Sequence, residues 1–229
     1  MCGRYASSRG AHELVDHFEI DEPPDEVLPP TYNVAPTDPV YAVVQREATR
    51  QVRVLRWGLV PSWAKDAKGA ARLINARRET VGSKPAFRAA YARRRCLLPA
   101  DGYYEWHTVG TTKTPHYITD PEAGEFAFAG LYSWWRAPVA EGAEPGPWVL
   151  TATILTRDSS GPTSSIHDRA PVMLPREVWD EWLDPTIEGD QSLVDMVVAE
   201  SEQVLERLEL HAVAPLRGDG PHLIEPIEA

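Results

Sequence analysis

Proline placement limits this chain more than any other feature. Residues 21–39 read DEPPDEVLPPTYNVAPTDP, with six prolines. Proline has no backbone N–H and pushes the residue before it out of helical geometry, so this stretch has to be extended or turning. The chain holds 21 prolines in 229 residues, and apolar runs are correspondingly short. VYAVVQ (40–45) and QVRVLRWG (51–58) read as two strands joined by a polar turn. CLLPADGYYEWHTVGTTKTPHYITD (96–120) reads as strand, turn, strand, glycine-containing turn and strand. FAFAGLYSWW (126–135) and WVLTATILTRD (148–158) are β-branched and aromatic, as central strands are. The APVAEGAEPGPW between them reads as a long hairpin loop.

Helical signals are fewer. GAHELVDHFEI (10–20) reads as a short helix with Ser7 or Ser8 as candidate caps, and KPAFRAAYARRR (84–95) has helix propensity. PREVWDEWLD (175–184) starts on a proline suited to a first turn. DQSLVDMVVAESEQVLERLEL (190–210) reads as one amphipathic helix, followed by a short strand at HAVAP. PSWAKDAKGAARLINARRETV (61–81) reads as a basic loop leading into a short helical stretch, and GPTSSIHDRAPVML (161–174) as a loop entering a strand. The expected fold class is α+β, a single domain over 1–229 with curved, mainly antiparallel sheets and peripheral helices.

Composition excludes some classes. There is no apolar run near the length of a membrane span and no apolar leader segment, so a cytoplasmic location is expected. The two cysteines, Cys2 and Cys96, make neither a disulfide framework nor a thiolate metal site, and the histidines lack ligand spacing. No metal and no cofactor are expected. The net charge of −11 argues against a general nucleic-acid binder, yet it is unevenly spread. Residues 46–95 carry 14 Lys and Arg against three acids, a local charge of +11 that leaves −22 elsewhere. That is the pattern of a basic surface on an acidic body.

Cys2 stands in MCGRY. If Met1 is removed, it carries a thiol and an α-amine on one residue. The amine, with a reference pKa of about 7.7–8.0, is partly neutral at physiological pH, unlike a lysine near about 10.4. It can form a Schiff base with an aldehyde, after which the thiol can close a five-membered thiazolidine. That second step is intramolecular, where effective molarities reach on the order of 10⁵ M. Cys96, before LLP, reads as a small core hydrophobe.

Three further stretches hold reactive groups. In ADGYYEWH, strand alternation puts Tyr103, Glu105 and His107 on one face, and an aromatic setting should raise the Glu105 pKa toward general acid/base work. In SSIHDRAPVML, His167 suits proton transfer. In LINARRET, Asn75 can hydrogen-bond an oxygen and Arg77 can fork a phosphate.

MCGRY, YNVAPT, RWGLVPSWA, LINARRET, ADGYYEW and IHDRAPVML, in this order over residues 1 to about 175, resemble the SRAP family of SOS-response-associated peptidases, or abasic-site processing proteins. The remaining 176–229 would hold C-terminal helices and a final strand. The resemblance implies β-barrel-like sheets and covalent capture of abasic sites in single-stranded DNA, with autoproteolytic and crosslink-reversal activity. It implies Cys2 as the nucleophile, Asn75 as the residue that hydrogen-bonds the crosslinked site, Glu105 as acid/base of the imine chemistry, and His167 as the residue that opens the sugar ring. It also implies Arg4, Arg77 and Arg169 as phosphate contacts, and Trp57 and Trp63 as base-stacking or wedge residues. A monomer, nucleoid-associated when bound to DNA, is expected. The loop with Lys65, Lys68 and Arg72 is long for the family. Two readings compete: a cysteine hydrolase using Cys2 and His167, and a non-enzymatic nucleic-acid-binding module in which Cys2 is incidental.

Overall fold

The computed structural model describes residues 2–122, 125–139, 142 and 144–227. Among the described residues, twelve strands form two sheets. In chain order they are β1 (Arg4–Ser7), β2 (Thr31–Val34), β3 (Pro39–Arg46), β4 (Thr49–Trp57), β5 (Asn75–Arg77), β6 (Arg95–Ala100), β7 (Gly102–Val109), β8 (Thr112–Thr119), β9 (Phe126–Trp135), β10 (Val149–Asp158), β11 (Arg169–Pro171) and β12 (Glu209–Ala212). One sheet runs β12-β8-β7-β1-β2. The other runs β11-β10-β4-β3-β6-β9, and β9 pairs again with β10, so β10, β4, β3, β6 and β9 close a hydrogen-bonded ring. Five α-helices among the described residues lie around them: α1 (Ala11–His17), α2 (Arg88–Arg93), α3 (Trp179–Leu183), α4 (Gln191–Glu200) and α5 (Glu202–Arg207). This is the α+β class with mainly antiparallel sheets, β10 being parallel to both β4 and β5.

Local chemistry explains where the strands tolerate proline. Pro99 sits on β6 beyond the stretch paired with β3, where only β9 is its neighbour, so its missing N–H interrupts no second ladder. Pro115 stands likewise where the β12 pairing ends at His116. Gly58 closes β4 at φ +124°, and a Cβ there would lie 2.7 Å from the Ala70 carbonyl oxygen. Only glycine allows that reversal into the 61–73 loop.

The apolar core packs between the ring and the five-stranded sheet, and under the helices. Tyr5 meets Trp57 and Phe128 edge-on, with centroids 5.1 and 5.9 Å apart, contacts worth about 0.5–1.5 kcal/mol each beyond burial. Phe18 stacks on Trp179 at 4.7 Å, fixing α1 against α3.

Three local expectations change. The cap of α1 is Gly10, whose N–H donates to the Glu13 carboxylate at 2.8 Å, while Ser7 belongs to β1 and the Ser8 N–H is taken by Asp101. The single long helix over 190–210 is two helices, α4 and α5, that meet at the fully buried Ser201. Asp190 caps α4 by accepting from Leu193 N–H at 2.9 Å. The helical stretch expected in 61–81 is a 3-10 turn at Ala70–Arg72, followed by strand β5. Met1 and parts of the APVAEGAEPGPW loop lie outside the described residues.

Candidate active site

Cys2 precedes β1 and is fully buried, in an apolar cluster with Tyr5, Trp57, Tyr103 and Ile154. Its carbonyl accepts from Asn75 Nδ2 at 2.8 Å. Asn75 is held there because β5 runs parallel to β10, with Asn75 opposite Ile154 and Arg77 opposite Thr156. The Asn75 Oδ1 is buried and has no hydrogen-bond partner among the described residues, an acceptor left over for a ligand.

Glu105 is 4% exposed on β7. The expected alternation holds: Tyr103 packs into the Cys2 cluster, while Tyr104 and Trp106 pack on the opposite face with Ala6 and Tyr117. Burial, and then the Glu105 charge, push the Cys2 thiol far above its ordinary pKa. Glu105 is therefore close enough to act on Cys2 electrostatically, and the resting thiol is protonated.

His167 follows a 3-10 turn, Gly161–Ser165, whose buried Thr163 hydroxyl donates to Ser160 O and lies close enough to the Tyr103 phenol to influence it. Tyr103 itself senses both Cys2 and Glu105, so this loop flanks the same cluster. The His167 Nδ1 accepts from Arg169 N–H at 2.9 Å and lies 2.8 Å from Asp168 Oδ1.

The cationic residues divide into two groups. Arg77 is exposed on β5 and makes no ion pair among the described residues, nor do Arg4, Arg56, Lys65, Lys68 and Arg72. Arg169 differs from the expectation of an open phosphate contact. It forks onto Glu79 (Nη1–Oε1 2.8 Å, Nη2–Oε2 3.1 Å), reaches Asp158 Oδ1 at 2.6 Å, and donates to the Thr156 carbonyl. Partial burial would raise the Glu79 carboxyl, but the Arg169 hydrogen bonds outweigh it and hold the group below its ordinary value. Some arginines of the basic segment are likewise used internally. Arg95 is 3% exposed and donates to five carbonyls, among them Trp182 at the end of α3. Arg50 bonds Phe18 O and Asp180.

The tryptophans separate as well. Trp57 is fully buried, with its indole N–H on the Ile74 carbonyl at 3.1 Å, so no base can reach its faces. It is a core residue and supports the Asn75 segment from beneath. Trp63 is 66% exposed beside Lys65, Lys68 and Arg72. Glu79 and Thr163 were missed as participants. Glu79 lay inside LINARRET, but nothing local shows that its partner is Arg169, 90 residues on.

The structure thus places a buried residue-2 thiol near a carboxylate, with the Cys2 carbonyl held by an amide, on a double-sheet α+β scaffold. The chain matches the family described as SOS response associated peptidase (SRAP) over residues 1–216, and it belongs to that family. The abasic site processing protein YoqW of Bacillus subtilis is 36% identical over 228 residues, covering 98% of this chain and 99% of that protein. The abasic site processing protein YoaM of the same organism is 40% identical over 187 residues, covering 81% of this chain and 80% of that protein. The abasic site processing protein HMCES of Gallus gallus is 31% identical over 273 residues, covering 100% of this chain and 78% of that protein. A crystal structure of a protein from Bacteroides thetaiotaomicron matches the fold with a TM-score of 0.81 and 24% identity, covering 99% of this chain and all of that one.

Proposed function

We propose that this protein is an abasic-site processing enzyme that captures abasic sites in single-stranded DNA as a thiazolidine on Cys2, once Met1 is removed. Family membership supports the substrate class, since relatives are named for abasic sites. One observation carries the chemistry: Cys2 is buried, held by Asn75 through its carbonyl, with Glu105 beside the thiol.

His167 transfers the proton that opens the sugar hemiacetal to its aldehyde. The Glu105 carboxylate takes a proton from the Cys2 ammonium, and the amine so neutralised adds to C1′. Glu105, as an acid, protonates the departing hydroxyl, so water leaves and an iminium forms. The Glu105 carboxylate then takes the thiol proton, and sulfur bonds to C1′ to close the ring. The sum is aldehyde plus aminothiol giving thiazolidine plus one water, with no oxidant needed. Run backward through Glu105, the same steps reverse the crosslink. Asn75 fixes the Cys2 backbone, and its free Oδ1 accepts from the opened sugar hydroxyl. Arg4 and Arg77 meet phosphate, with Arg169 doing so only by exchanging Glu79 and Asp158, and exposed Trp63 offers a stacking or wedge face at a duplex junction. The reading treats residues 1–229 as one SRAP domain acting as a monomer with no cofactor, in the cytoplasm on nucleoid DNA. No helix among the described residues is long and apolar enough to cross a membrane.

The cysteine-hydrolase reading needs a thiol poised as thiolate, and burial moves this one the other way. Purified protein is mixed with single-stranded DNA holding one abasic site and run on a denaturing gel. A shifted band that survives boiling, is absent in Cys2→Ala and forms more slowly in His167→Ala is expected. No shift from a chain with an intact Cys2 terminus would overturn the reading.

A further inference from the structure

We propose that a cleft beside Arg4, separate from the buried Cys2 cluster, is a subsite for one nucleotide flanking the lesion, with Trp106 as its stacking platform and Lys113 as its second phosphate contact. The proposal rests on the reading above for its substrate class. The cleft has a volume of about 310 Å³ and is lined by Arg4, Asn33, Trp106, Lys113, Pro115, Pro215 and Leu216. That is near the lower end for small-ligand clefts, a size for one unit rather than a run of bases.

The register of the sheet builds it. Arg4 pairs with Tyr104 across β1 and β7, so Arg4, Tyr104 and Trp106 share the face opposite Glu105. Trp106 pairs in turn with Pro115 on β8. Glu105 thus lies on the face of β7 that carries the Cys2 cluster, while its neighbour Trp106 faces the cleft on the other side of the same strand. Arg4 is also two residues from Cys2 in the chain.

The lining fits an aromatic anion. It carries two cations and no carboxylate, on a chain whose net charge is −11. Arg4 forms no ion pair among the described residues; its guanidinium only reaches the Gly3 carbonyl at 3.3 Å. Lys113 is exposed and likewise without an ion pair among the described residues. Trp106 is partly buried, one side packed on the Tyr104–Tyr117 cluster and the rest bordering the cleft. Stacking on an indole is tolerant of base identity, and cations beside it hold the phosphate. Asn33 adds one polar feature: its Nδ2 donates to Gly218 O at 2.9 Å, while its Oδ1 is buried with no hydrogen-bond partner among the described residues. A base amino group would supply that missing donor.

Binding is measured by fluorescence anisotropy to single-stranded DNA carrying a tetrahydrofuran abasic analogue. That analogue has no aldehyde, so the result is independent of Cys2 chemistry and stands even if no crosslink ever forms. Trp106→Leu is expected to weaken binding about ten-fold. Lys113→Gln, at an exposed position that leaves folding intact, is expected to lower the log–log salt slope by about 0.7. Nucleotides are then removed singly from each flank. One removal should cost the wild type about ten-fold and cost Trp106→Leu nothing further. Unchanged affinity and salt slope in both variants, or full additivity of Trp106→Leu with every truncation, would overturn the subsite.

Discussion

Replacing Asn75 by alanine should separate stability from activity. The substitution removes the 2.8 Å hydrogen bond to the Cys2 carbonyl, a net loss of about 0.5–1.5 kcal/mol, and leaves that carbonyl unpaired in a buried setting. It also removes Oδ1, a buried acceptor with no partner among the described residues, whose desolvation already costs about 1–3 kcal/mol. The two effects oppose each other, so the unfolding free energy should change by no more than about 2 kcal/mol. For a chain of this size that is a melting shift of at most about 4–8 °C. Crosslinking should respond far more. The Cys2 backbone would lose the amide that fixes it, and a displacement of about 1 Å at a reacting centre costs on the order of 100-fold in rate. The assay pairs urea denaturation with single-turnover crosslinking to excess abasic DNA. A rate loss no larger than the unfolded fraction, or a destabilisation of several kcal/mol, would refute the argument that Asn75 serves chemistry over folding.

Arg77→Gln should lower the salt slope of single-stranded DNA binding by about 0.7, as removal of one phosphate contact does, when affinity is titrated against salt; an unchanged slope would remove Arg77 from the DNA path. Glu79→Gln should lose about 1 kcal/mol at pH 7, a modest figure because Glu79 is 40% exposed and Asp158 still holds Arg169. Because the folded Glu79 pKa is lowered, the stability it adds is present above the ordinary carboxylate range and fades as pH falls through the folded value; calorimetry on both proteins should therefore converge in acid. Glu125 has the opposite sign. Burial raises it to about 7, against the pull of Arg9, so its contribution is full below the unfolded value and is lost as pH rises toward about 7. Glu125→Gln should accordingly stabilise by about 1–3 kcal/mol at pH 8 and by little at pH 4, and equal melting curves at pH 8 would contradict that burial.

What the sequence reveals here depends on how local each signal is. β3, β4, β7, β8, β9 and β10 were readable because each pairs with a sequence neighbour, and β6 because its run is short, apolar and buried throughout. Glu105 was placed on its correct face by counting alone. β5 was not readable: three residues, Asn75–Arg77, acquire strand geometry from β10, nearly 80 positions away. The split of the last long helix was hidden too, since Ser201 is an acceptable helix residue and only its burial against the core marks the break. Charge counting found the basic segment but could not report that its Arg50 and Arg95, like Arg169 beyond it, turn inward to carbonyls and carboxylates. For the same reason an aromatic in RWGLVPSWA could be expected to stack on DNA when Trp57 is in fact core and Trp63 is exposed.

The central claim is that amine and thiol of Cys2 act together on one aldehyde carbon. Protein lacking Met1 is incubated with abasic single-stranded DNA without reductant, and the intact adduct is weighed and then treated with a thiol alkylator under denaturing conditions. The account predicts a mass equal to protein plus DNA minus one water, formed without borohydride, with Cys2 refractory to alkylation and Cys96 modified. An adduct that requires borohydride trapping, or one in which Cys2 still alkylates, would contradict it.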